Sequence, residues 1–538
     1  MSNRRDIMKV SLLAGGAAML SAKSALAQIP CNEFDRQTSP PLPSSPATTP
    51  FVSPLIVPKV AIPVNPFSLQ PPPNPAMHQQ YKRFLPLLYY SITEQEAQVQ
   101  VHPQLPPTTI WGFNGTHPGP TILAEYGIPM LVRFKNALPA NHVGFGLPST
   151  STHLHNFHTA SESDGFPADF YDPGTYRDNH YAMYPAGGTS AEVLNTLWYH
   201  DHRQDFTSQN VYKGLAGFFL AFDSVDIGIP GLGLNLPAPY GVYDIPLMFV
   251  DMRFDQYGQQ IFDTFDFDGV LGDKRLVNGQ IQPYLNVEPR KYRFRMLNIG
   301  PSRFYQYNLS NGQPMIQISN DGNLLPSPIT VNSVTLGVAE RTDVIIDFSS
   351  SKPGDVLYLQ NVMEQLNGRG PTTRQLVVPE QLLQFRVGSL KHRDISTVPS
   401  AMRPLPPIDL TKVVQHRTWK FDYFQGSWIV NGQVFDATRV DAQVKQGTSE
   451  IWTIRNEGTL WSHPIHIHFE EFRLLERNGR PIDPNSVENS RKDVIRIMPG
   501  EEVKVFFTFR DFLGRYPMHC HNVVHEDHSM MVRWDIVP

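Results

Sequence analysis

The chain has 538 residues, 41% of them hydrophobic and 18% charged, which is typical of a globular protein with a large apolar core. Its length predicts about two to four domains. The formal net charge of −5 and the absence of basic runs argue against a nucleic-acid partner, and the 49 prolines favour short strands joined by loops over a helical bundle.

Residues 1–27 have the pattern of an export signal. Arg4 and Arg5 precede an apolar stretch, and the small-residue sequence Ala25-Leu26-Ala27 predicts cleavage near Ala27. The pattern resembles a twin-arginine signal, which predicts passage through the twin-arginine export machinery to the periplasm or the medium. An ordinary secretory signal or an uncleaved anchor is the alternative. Because the apolar stretch is too short for a comfortable transmembrane span, we expect no stable membrane insertion.

Residues 28–77 form a second segment, which is dense in proline, serine and threonine. This composition predicts an extended arm without a core of its own. Cys31 lies in the arm and Cys520 is the other cysteine of the chain, so a disulfide framework is excluded. If Cys520 binds metal, the two cysteines cannot pair, and Cys31 has no expected role.

One supersecondary unit recurs three times in the rest of the chain. Each copy is a strand, an Asn-Gly turn, a short loop and a second strand that ends in asparagine. The turn asparagines are Asn114, Asn278 and Asn431. Three copies predict three related β-sandwich domains. We place these domains near residues 78–225, 244–395 and 405–538.

Four metal-ligand clusters stand out, two in the first predicted domain and two in the third. They are THLHNFH (His153, His155), LWYHDH (His200, His202), HPIHIH (His463, His466, His468) and HCHNVVHEDHSMM (His519, Cys520, His521, His525, Met530). A single His-x-His pair is more often incidental, but four clusters in repeated domains are hard to explain by chance. In a strand, His519 and His521 point to one face and Cys520 to the other, so the three cannot bind the same metal ion.

The donor types indicate copper. Structural zinc sites use four ligands with cysteines in pairs, whereas imidazoles far outnumber thiolates here. His463, Cys520, His525 and Met530 offer two imidazoles, a thiolate and a weak axial thioether, which is the donor set of a blue-copper site. The other eight clustered histidines predict a second, all-imidazole centre. Five histidines are not expected to bind metal: His158, His180, His392, His416 and His528.

Together these motifs resemble the bacterial three-domain multicopper oxidases, the branch that includes spore-coat laccase, bilirubin oxidase and phenoxazinone synthase. The likeness rests on HLHNFHTASESDGFP, LWYHDH, VNGQIQPYLNVEPRKYRFRMLN, HPIHIH and HCHNVVHEDHSMM, and it covers nearly the whole chain after the arm. The resemblance implies an all-β fold of three cupredoxin-like Greek-key β-sandwich domains. It also implies four copper ions, of which one is type 1, one is type 2 and two are type 3.

The resemblance carries over residue by residue. Type 1 copper would be held by His463, Cys520 and His525, with Met530 as the axial ligand. Type 2 copper would be held by His153 and His466, and the type 3 pair by His155, His200, His202, His468, His519 and His521. Asp164 and Glu526 match acidic positions of the family and would deliver protons; a surface or imidazole-orienting role is the alternative. Asn156 stands where relatives commonly have glycine, which puts the conformation of that loop in doubt but removes no ligand.

The implied activity is oxidation of phenolic or aromatic amine substrates in four one-electron steps, coupled to reduction of O2 to two waters. The alternatives are a metallo-oxidase for Cu(I) or Mn(II) and bilirubin-oxidase-like pigment oxidation. A structural relative that has lost its ligands is disfavoured by the complete ligand set, and a two-domain nitrite reductase by the third repeat. The expected partners are a small-molecule reductant and O2, and the expected oligomeric state is a monomer.

Overall fold

A computed structural model describes residues 42–538. The predicted signal, the first part of the arm and Cys31 lie outside the described residues. Within residues 42–538 the chain forms 33 strands, two short α-helices and six 3-10 helices, so the all-β expectation is confirmed. In that same range, the helices are all too short or too polar to cross a membrane.

The first sandwich packs two four-stranded sheets, with strand orders β2-β1-β4-β6 and β3-β8-β7-β5. Its strands are β1 Leu88–Val99, β2 Thr108–Phe113, β3 Gly119–Glu125, β4 Met130–Ala137, β5 Thr152–His155, β6 Tyr176–Tyr181, β7 Thr196–Asp201 and β8 Ala216–Phe222. Helix α1, Thr207–Lys213, lies between β7 and β8. The core between the sheets contains Ile92, Trp111, Val132 and Phe219.

The second sandwich packs a sheet of order β12-β11-β9-β14-β19-β16-β17, in which β10 also pairs with β9, against a sheet of order β13-β21-β20-β15-β18. Its strands are β9 Asp244–Phe254, β10 Gln260–Ile261, β11 Lys274–Val277, β12 Gln280–Ile281, β13 Tyr284–Val287, β14 Lys291–Asn298, β15 Tyr305–Leu309, β16 Met315–Asn320, β17 Asn323–Val331, β18 Val334–Leu336, β19 Arg341–Asp347, β20 Val356–Met363 and β21 Gln375–Val387. Phe249, Phe294 and Phe385 lie in its core.

The third sandwich has sheets of order β23-β22-β25-β31-β27-β28, in which β29 also pairs with β27, and β24-β33-β32-β26-β30. Its strands are β22 Val413–Phe424, β23 Ser427–Val430, β24 Ala442–Lys445, β25 Ser449–Asn456, β26 His463–Ile467, β27 Phe472–Arg477, β28 Arg480–Pro481, β29 Arg491–Lys492, β30 Val494–Ile497, β31 Glu502–Thr508, β32 Gly514–Cys520 and β33 Met531–Val537. Helix α2, Val523–Asp527, joins β32 to β33. The 3-10 helices are Pro66–Ser68, Pro75–Met77, Ser161–Ser163, Ala186–Gly188, Ser190–Glu192 and Leu410–Lys412.

The repeated unit has the same local structure in all three sandwiches. Asn114, Asn278 and Asn431 have φ of 54°, 49° and 51°, and the glycine after each is also at positive φ, as a two-residue type I′ hairpin turn requires. The asparagines at the ends of β14 and β25, and the one next to the end of β4, share a local role. Each accepts a hydrogen bond from the backbone N–H two residues later, at 3.0 to 3.1 Å, and each side-chain NH2 donates to a backbone carbonyl.

The described part of the arm contacts the first and second sandwiches, and the residues just after it contact the third. The N–H of Ser45 donates to Asp273 at 2.8 Å, and that of Leu55 donates to the Tyr284 carbonyl at 2.7 Å, both in the second sandwich. The N–H of Ala61 donates to Thr121 in the first. Just beyond the arm, Gln79 donates to the Leu513 carbonyl of the third at 2.8 Å. Residues 45–61 of the predicted arm are therefore held against the first and second sandwiches by hydrogen bonds.

The three sandwiches meet through an apolar cluster as well as through polar contacts. Phe218 of the first, Met248 of the second and Val494 of the third belong to one buried group. This packing brings β5 and β7 of the first sandwich beside β26 and β32 of the third, and these are the strands that carry the histidine motifs.

Candidate metal centres

The twelve predicted ligands are all buried, and each is at most 1% exposed. Their strands explain how they meet. In the first sandwich β5 pairs with β7 so that His153 lies opposite His200, and in the third β26 pairs with β32 so that His466 lies opposite His519. The ligands form a small group inside the third sandwich and a large group between the first and the third.

The small group consists of His463, Cys520, His525 and Met530. Cys520 Sγ lies 3.3 Å from Nδ1 of His463 and 3.6 Å from Nδ1 of His525, and the two Nδ1 atoms are 3.2 Å apart. Met530 is fully buried beside them, and its carbonyl accepts from the N–H of Cys520 at 3.0 Å. Burial raises the pKa of the Cys520 thiol well above its ordinary value, so a bound cation is needed to keep a thiolate here.

The large group contains a triangle of imidazole nitrogens. The Nε2 atoms of His202, His468 and His519 lie 3.1 to 3.2 Å from one another. The Nδ1 atoms of these three rings lie 2.8 to 3.1 Å from carboxylate oxygens, those of Asp164 and Glu526. A neutral ring that donates through Nδ1 presents a lone pair at Nε2. Three lone pairs therefore face one centre, which is an arrangement that a metal ion would stabilise.

Four more histidines of the large group have one ring nitrogen without a hydrogen-bond partner among the described residues. It is Nε2 in His153, His200 and His466 and Nδ1 in His155. The opposite nitrogen of each ring lies against an oxygen, which fixes the tautomer. These acceptors are the carbonyls of Asp164, Asp201 and Asp493 for His153, His200 and His466, and the carboxylate of Asp493 for His155. The pattern predicts that His155 binds through Nδ1 and the others through Nε2.

His521 completes the large group, with its ring centroid 5.2 Å from that of His155 and 5.5 Å from that of His200. Neither of its ring nitrogens has a hydrogen-bond partner within residues 42–538. Burial and then the neighbouring imidazoles lower the pKa of His153, His155 and His466 well below 6.5. The rings are therefore neutral at physiological pH, and neutral imidazole is the form that binds metal.

Two predicted acidic residues lie at the edge of the large group. Asp164 follows the 3-10 helix Ser161–Ser163, and its Oδ2 accepts from Nδ1 of His468 at 2.8 Å. Glu526 lies in α2, with its two oxygens 3.1 Å from His202 and 3.0 Å from His519. Asp201 points away from the histidines, as strand alternation predicts, and accepts from the N–H of Ser151 at 2.7 Å.

Asn156 lies in the loop after β5 with φ of 60°. Asparagine tolerates this left-handed conformation better than most residues, although glycine adopts it at lower cost. Its buried amide has no hydrogen-bond partner in the described structure. Asn156 is thus accommodated by its backbone conformation, without a hydrogen bond from its side chain to the described residues.

The five histidines named above as not expected to bind metal lie outside both groups. His158 contacts Asp511 at 2.9 Å, His180 the carbonyl of Phe84 at 2.7 Å, and His528 the carbonyl of Val524 at 2.6 Å. His392 and His416 are exposed. Within residues 42–538, the groups of three or more potential metal ligands draw on the predicted ligands and on Asp493.

Asp493 is a site residue that the sequence motifs did not indicate. It lies between β29 and β30, where the segment RKDVIRI has no neighbouring histidine. Its carboxylate contacts His155 at 3.0 Å and accepts hydrogen bonds from both terminal nitrogens of Arg341, at 2.7 and 2.6 Å. Such a residue can be found from tertiary contacts but not from spacing.

The second sandwich covers the small group on its solvent side. The carbonyl of Asp268 lies 3.0 Å from Nε2 of His525, and the indole of Trp428 stacks on that ring at 3.7 Å. The Asp268 carboxylate accepts from Trp461 at 3.0 Å and from Arg369 at 2.9 Å. Arg369 belongs to the loop between β20 and β21. The face of the small group beside Asp268 and Arg369 is therefore partly exposed.

The comparisons with known proteins agree with this geometry. Residues 94–225 and 403–538 match two family models, each described as multicopper oxidase. The chain is 33% identical to a laccase from Bacillus stratosphericus, over 90% of this chain and 99% of that protein. It is 32% identical to a bilirubin oxidase from Albifimbria verrucaria, over 83% of this chain and 76% of that protein. A solved laccase from Pediococcus acidilactici matches with a TM-score of 0.74 at 27% identity, covering 92% of this chain and 95% of that one.

Proposed function

The chain belongs to the multicopper oxidase family, and from this premise we propose which of its residues bind the four copper ions and which donors it oxidises. His463, Cys520 and His525, with Met530 axial, would hold type 1 copper. His153 and His466 would hold type 2 copper. The type 3 pair would be held by His155, His200, His202, His468, His519 and His521.

The donor atoms support this assignment. Two imidazoles, one thiol and a neighbouring thioether match a blue-copper site. The large group offers seven ring nitrogens whose lone pairs are left available by hydrogen bonds or ionic contacts on the opposite side of each ring. Oxygen partners on the outer nitrogens are the usual support of metal-binding histidines, because they fix tautomer and orientation.

The observation that carries the function is the end of β32. Cys520 faces the small group, while His519 and His521 on either side of it face the large group. Bound copper would supply one-electron oxidation of a donor at the first site and four-electron reduction of O2 to two waters at the second. The backbone on each side of Cys520 gives an electron a short covalent route between the two groups.

We assign proton delivery to Asp164 and Glu526, since reduction of O2 to water consumes protons. Burial raises the pKa of Asp164 well above its usual range, so this carboxyl holds a proton that it can give up beside His468. Glu526 differs. Although burial opposes ionisation, His202 and His519 lower its pKa well below the ordinary value. Two carboxyls whose pKa values shift in opposite directions suit the donor and the acceptor ends of a proton route.

Phenols and aromatic amines are the proposed substrates. The laccase relatives support them, and so does the partly exposed indole of Trp461 beside the Asp268–Arg369 ion pair. An aromatic donor could stack on the indole while a polar substituent meets the ion pair. The bilirubin oxidase relative makes pigment oxidation the second candidate.

Oxygen uptake by the copper-loaded protein tests the proposal, with kcat/KM compared among a panel of phenols and aromatic amines, bilirubin, Cu(I) and Mn(II). Preference for the phenols and amines is the expected result. Preference for bilirubin would support pigment oxidation, and preference for a metal ion would make the protein a metallo-oxidase. A protein that holds four coppers and consumes no oxygen with any donor would contradict the proposed activity.

The domain bounds and the cellular location are also proposals. The strands of the three sandwiches fall inside residues 78–225, 244–395 and 405–538, which supports those bounds. Twin-arginine export, a periplasmic or secreted location and a monomeric state rest on the sequence. A mature protein that begins at Gln28 and has the light-scattering mass of one chain is the expected result.

A further inference from the structure

Arg341, the first residue of β19, links all three sandwiches. Its fully buried guanidinium donates from Nε to the Thr196 carbonyl of the first sandwich at 3.3 Å and from Nη2 to the Asp321 carbonyl of the second at 2.9 Å. Nη1 and Nη2 also donate to the Asp493 carboxylate of the third sandwich, at 2.7 and 2.6 Å. The second sandwich has no histidine cluster, yet it reaches the large group through this side chain.

Asp493 in turn holds one histidine of the first sandwich and one of its own, the third. Its Oδ1 accepts from Nε2 of His155 at 3.0 Å, and its backbone carbonyl accepts from Nδ1 of His466 at 2.9 Å. Because a neutral imidazole carries one proton, these bonds leave the lone pair on Nδ1 of His155 and on Nε2 of His466. One aspartate thus selects opposite tautomers in the two rings, whose centroids are 3.8 Å apart.

We propose that Arg341 is a positioning residue for the large histidine group. Its two parallel bonds fix the direction of the Asp493 carboxylate, and the carboxylate fixes the tautomer and orientation of His155. The planar fork of arginine can hold both oxygens at once, whereas the single ammonium of lysine cannot. This inference rests on the proposed copper-binding function and assigns the second sandwich a part in it.

Arg341 and Asp493 have two alternative roles, and their contacts disfavour the first. Asp493, His155 and His466 could together bind a metal ion, since one ligand atom from each lies within 4.8 Å of the others. However, both Asp493 oxygens already face the guanidinium, which would repel a cation at the same place. The remaining alternative is that Arg341 only stabilises the contact between sandwiches.

A matched pair of variants separates positioning from stabilisation. Arg341→Lys keeps the charge and removes the fork. Arg295→Lys makes the same change at a second buried arginine of the middle sandwich. The Arg295 guanidinium donates two hydrogen bonds to the Asp244 carboxylate, at 2.8 and 2.7 Å, and one to Thr196 Oγ1 at 2.8 Å. Both arginine–aspartate pairs, Arg341–Asp493 and Arg295–Asp244, are buried. However, the Arg295–Asp244 pair contacts none of the clustered histidines in the described structure.

The measurements are copper content per chain after dialysis against a competing chelator and the near-ultraviolet absorption of the type 3 pair, with the type 1 visible band of the same sample as an internal reference. In Arg341→Lys we expect the type 3 pair, to which His155 is assigned, to bind copper about 10- to 100-fold more weakly, with a lower copper content, a weaker near-ultraviolet band and an unchanged type 1 band. In Arg295→Lys we expect the copper content and both bands unchanged. A normal copper content and near-ultraviolet band in Arg341→Lys, or the same loss in both variants, would overturn the proposal.

Asp493→Asn covers the case in which Arg341→Lys does not fold. It is nearly isosteric and keeps the backbone carbonyl that holds His466, but its uncharged amide no longer anchors the guanidinium. We expect the same selective loss of type 3 copper, and full retention would contradict the inference. An unmodified chain that binds no copper would instead refute the proposed function, so the two failures are distinguishable.

Discussion

Glu526 of the third sandwich places a carboxylate oxygen 3.1 Å from Nδ1 of His202 in the first. Thr207 donates to that same oxygen from α1 at 2.6 Å, and the other oxygen lies 3.0 Å from Nδ1 of His519. One carboxylate therefore turns two imidazoles from different sandwiches so that their Nε2 atoms meet. The large histidine group depends on the docking of the two sandwiches as much as on the motifs themselves.

Glu526→Gln should lower kcat about 10- to 100-fold. The amide oxygen can accept from one of the two rings, but the amide NH2 faces the N–H of the other, so that ring loses its partner and its orientation. The check is steady-state kinetics with a phenol, together with copper content. An unchanged KM is expected, because the proposed approach of the reductant is to the small group and not to the large one.

Asp527→Asn is the matched control for that variant. Asp527 is the next residue, it is buried, and it accepts from the N–H of Ser208 at 3.1 Å. Burial and then Glu526 raise the pKa of Asp527 well above its usual range, so it carries a proton and an amide replaces it without loss of charge. A comparable fall in kcat in both variants would mean that disturbance of α2, and not the Glu526 carboxylate, causes the effect.

Cys520→Ser should abolish oxidation of the donor while the large histidine group stays loaded. A hydroxyl is a poor ligand compared with a thiolate, and the visible type 1 band requires the thiolate. We expect loss of one of the four coppers, loss of the band and a type 2 resonance signal like that of the unmodified protein. Retention of a type 1 band would show that the assignment of Cys520 is wrong.

The local features of this structure, such as the hairpin turns and the alternation of side chains along a strand, could be predicted from the sequence. An Asn-Gly pair between apolar runs specifies a type I′ hairpin through backbone preference alone, and Asn114, Asn278 and Asn431 all form one. Alternation along β32 likewise requires Cys520 to face away from His519 and His521. The twelve clustered ligands come together as the spacing and the family resemblance predict, although their binding of copper stays a prediction.

Three of the residues that orient the histidines, Asp493, Arg341 and Asp268, could not be predicted, because each acts on a partner that is distant in the sequence. Asp493 meets His155 and Arg341 meets Asp493 only after the three sandwiches have packed. The carbonyl of Asp268 meets His525 in the same way. No local pattern records such contacts, so the tautomer of His155 and the contribution of the middle sandwich became visible only in the structure.

Glu94→Gln should make unfolding less sensitive to pH. Glu94 is buried in the first sandwich and accepts from Thr150, Thr152 and Tyr171 at 2.5 to 2.7 Å, but burial still raises its pKa from 4.5 to about 7. Between those values the folded state binds more protons than the unfolded state. The free energy of unfolding therefore falls as pH rises from 4.5 to 7, and the total loss is about 3 kcal/mol.

The amide carries no such penalty, so Glu94→Gln should exceed the unmodified chain in stability by up to about 3 kcal/mol well above pH 7 and by little near pH 4.5. Urea unfolding of the copper-free proteins at both pH values measures the difference. Since every other titrating group is common to the two chains, its contribution cancels. A difference that is equal at both pH values would show that Glu94 does not titrate in this range.

Arg369→Gln should change the preference of the enzyme for charged donors. The side chain of Arg369 is 24% exposed, pairs with Asp268 at 2.9 Å and lies over the Trp461 ring at 5.1 Å, next to the face that covers His525. A partly solvated cation here attracts a carboxylate-bearing phenol by about 0.5–1 kcal/mol, which is a two- to fivefold effect on KM. We expect KM to rise for that donor and to stay constant for a neutral phenol of similar size.

The matched control is Arg374→Gln, which removes a charge from the same loop. The side chain of Arg374 is 68% exposed and paired with Glu364, so this variant should leave both KM values unchanged. Equal responses to the two donors in Arg369→Gln would place the reductant elsewhere on the surface.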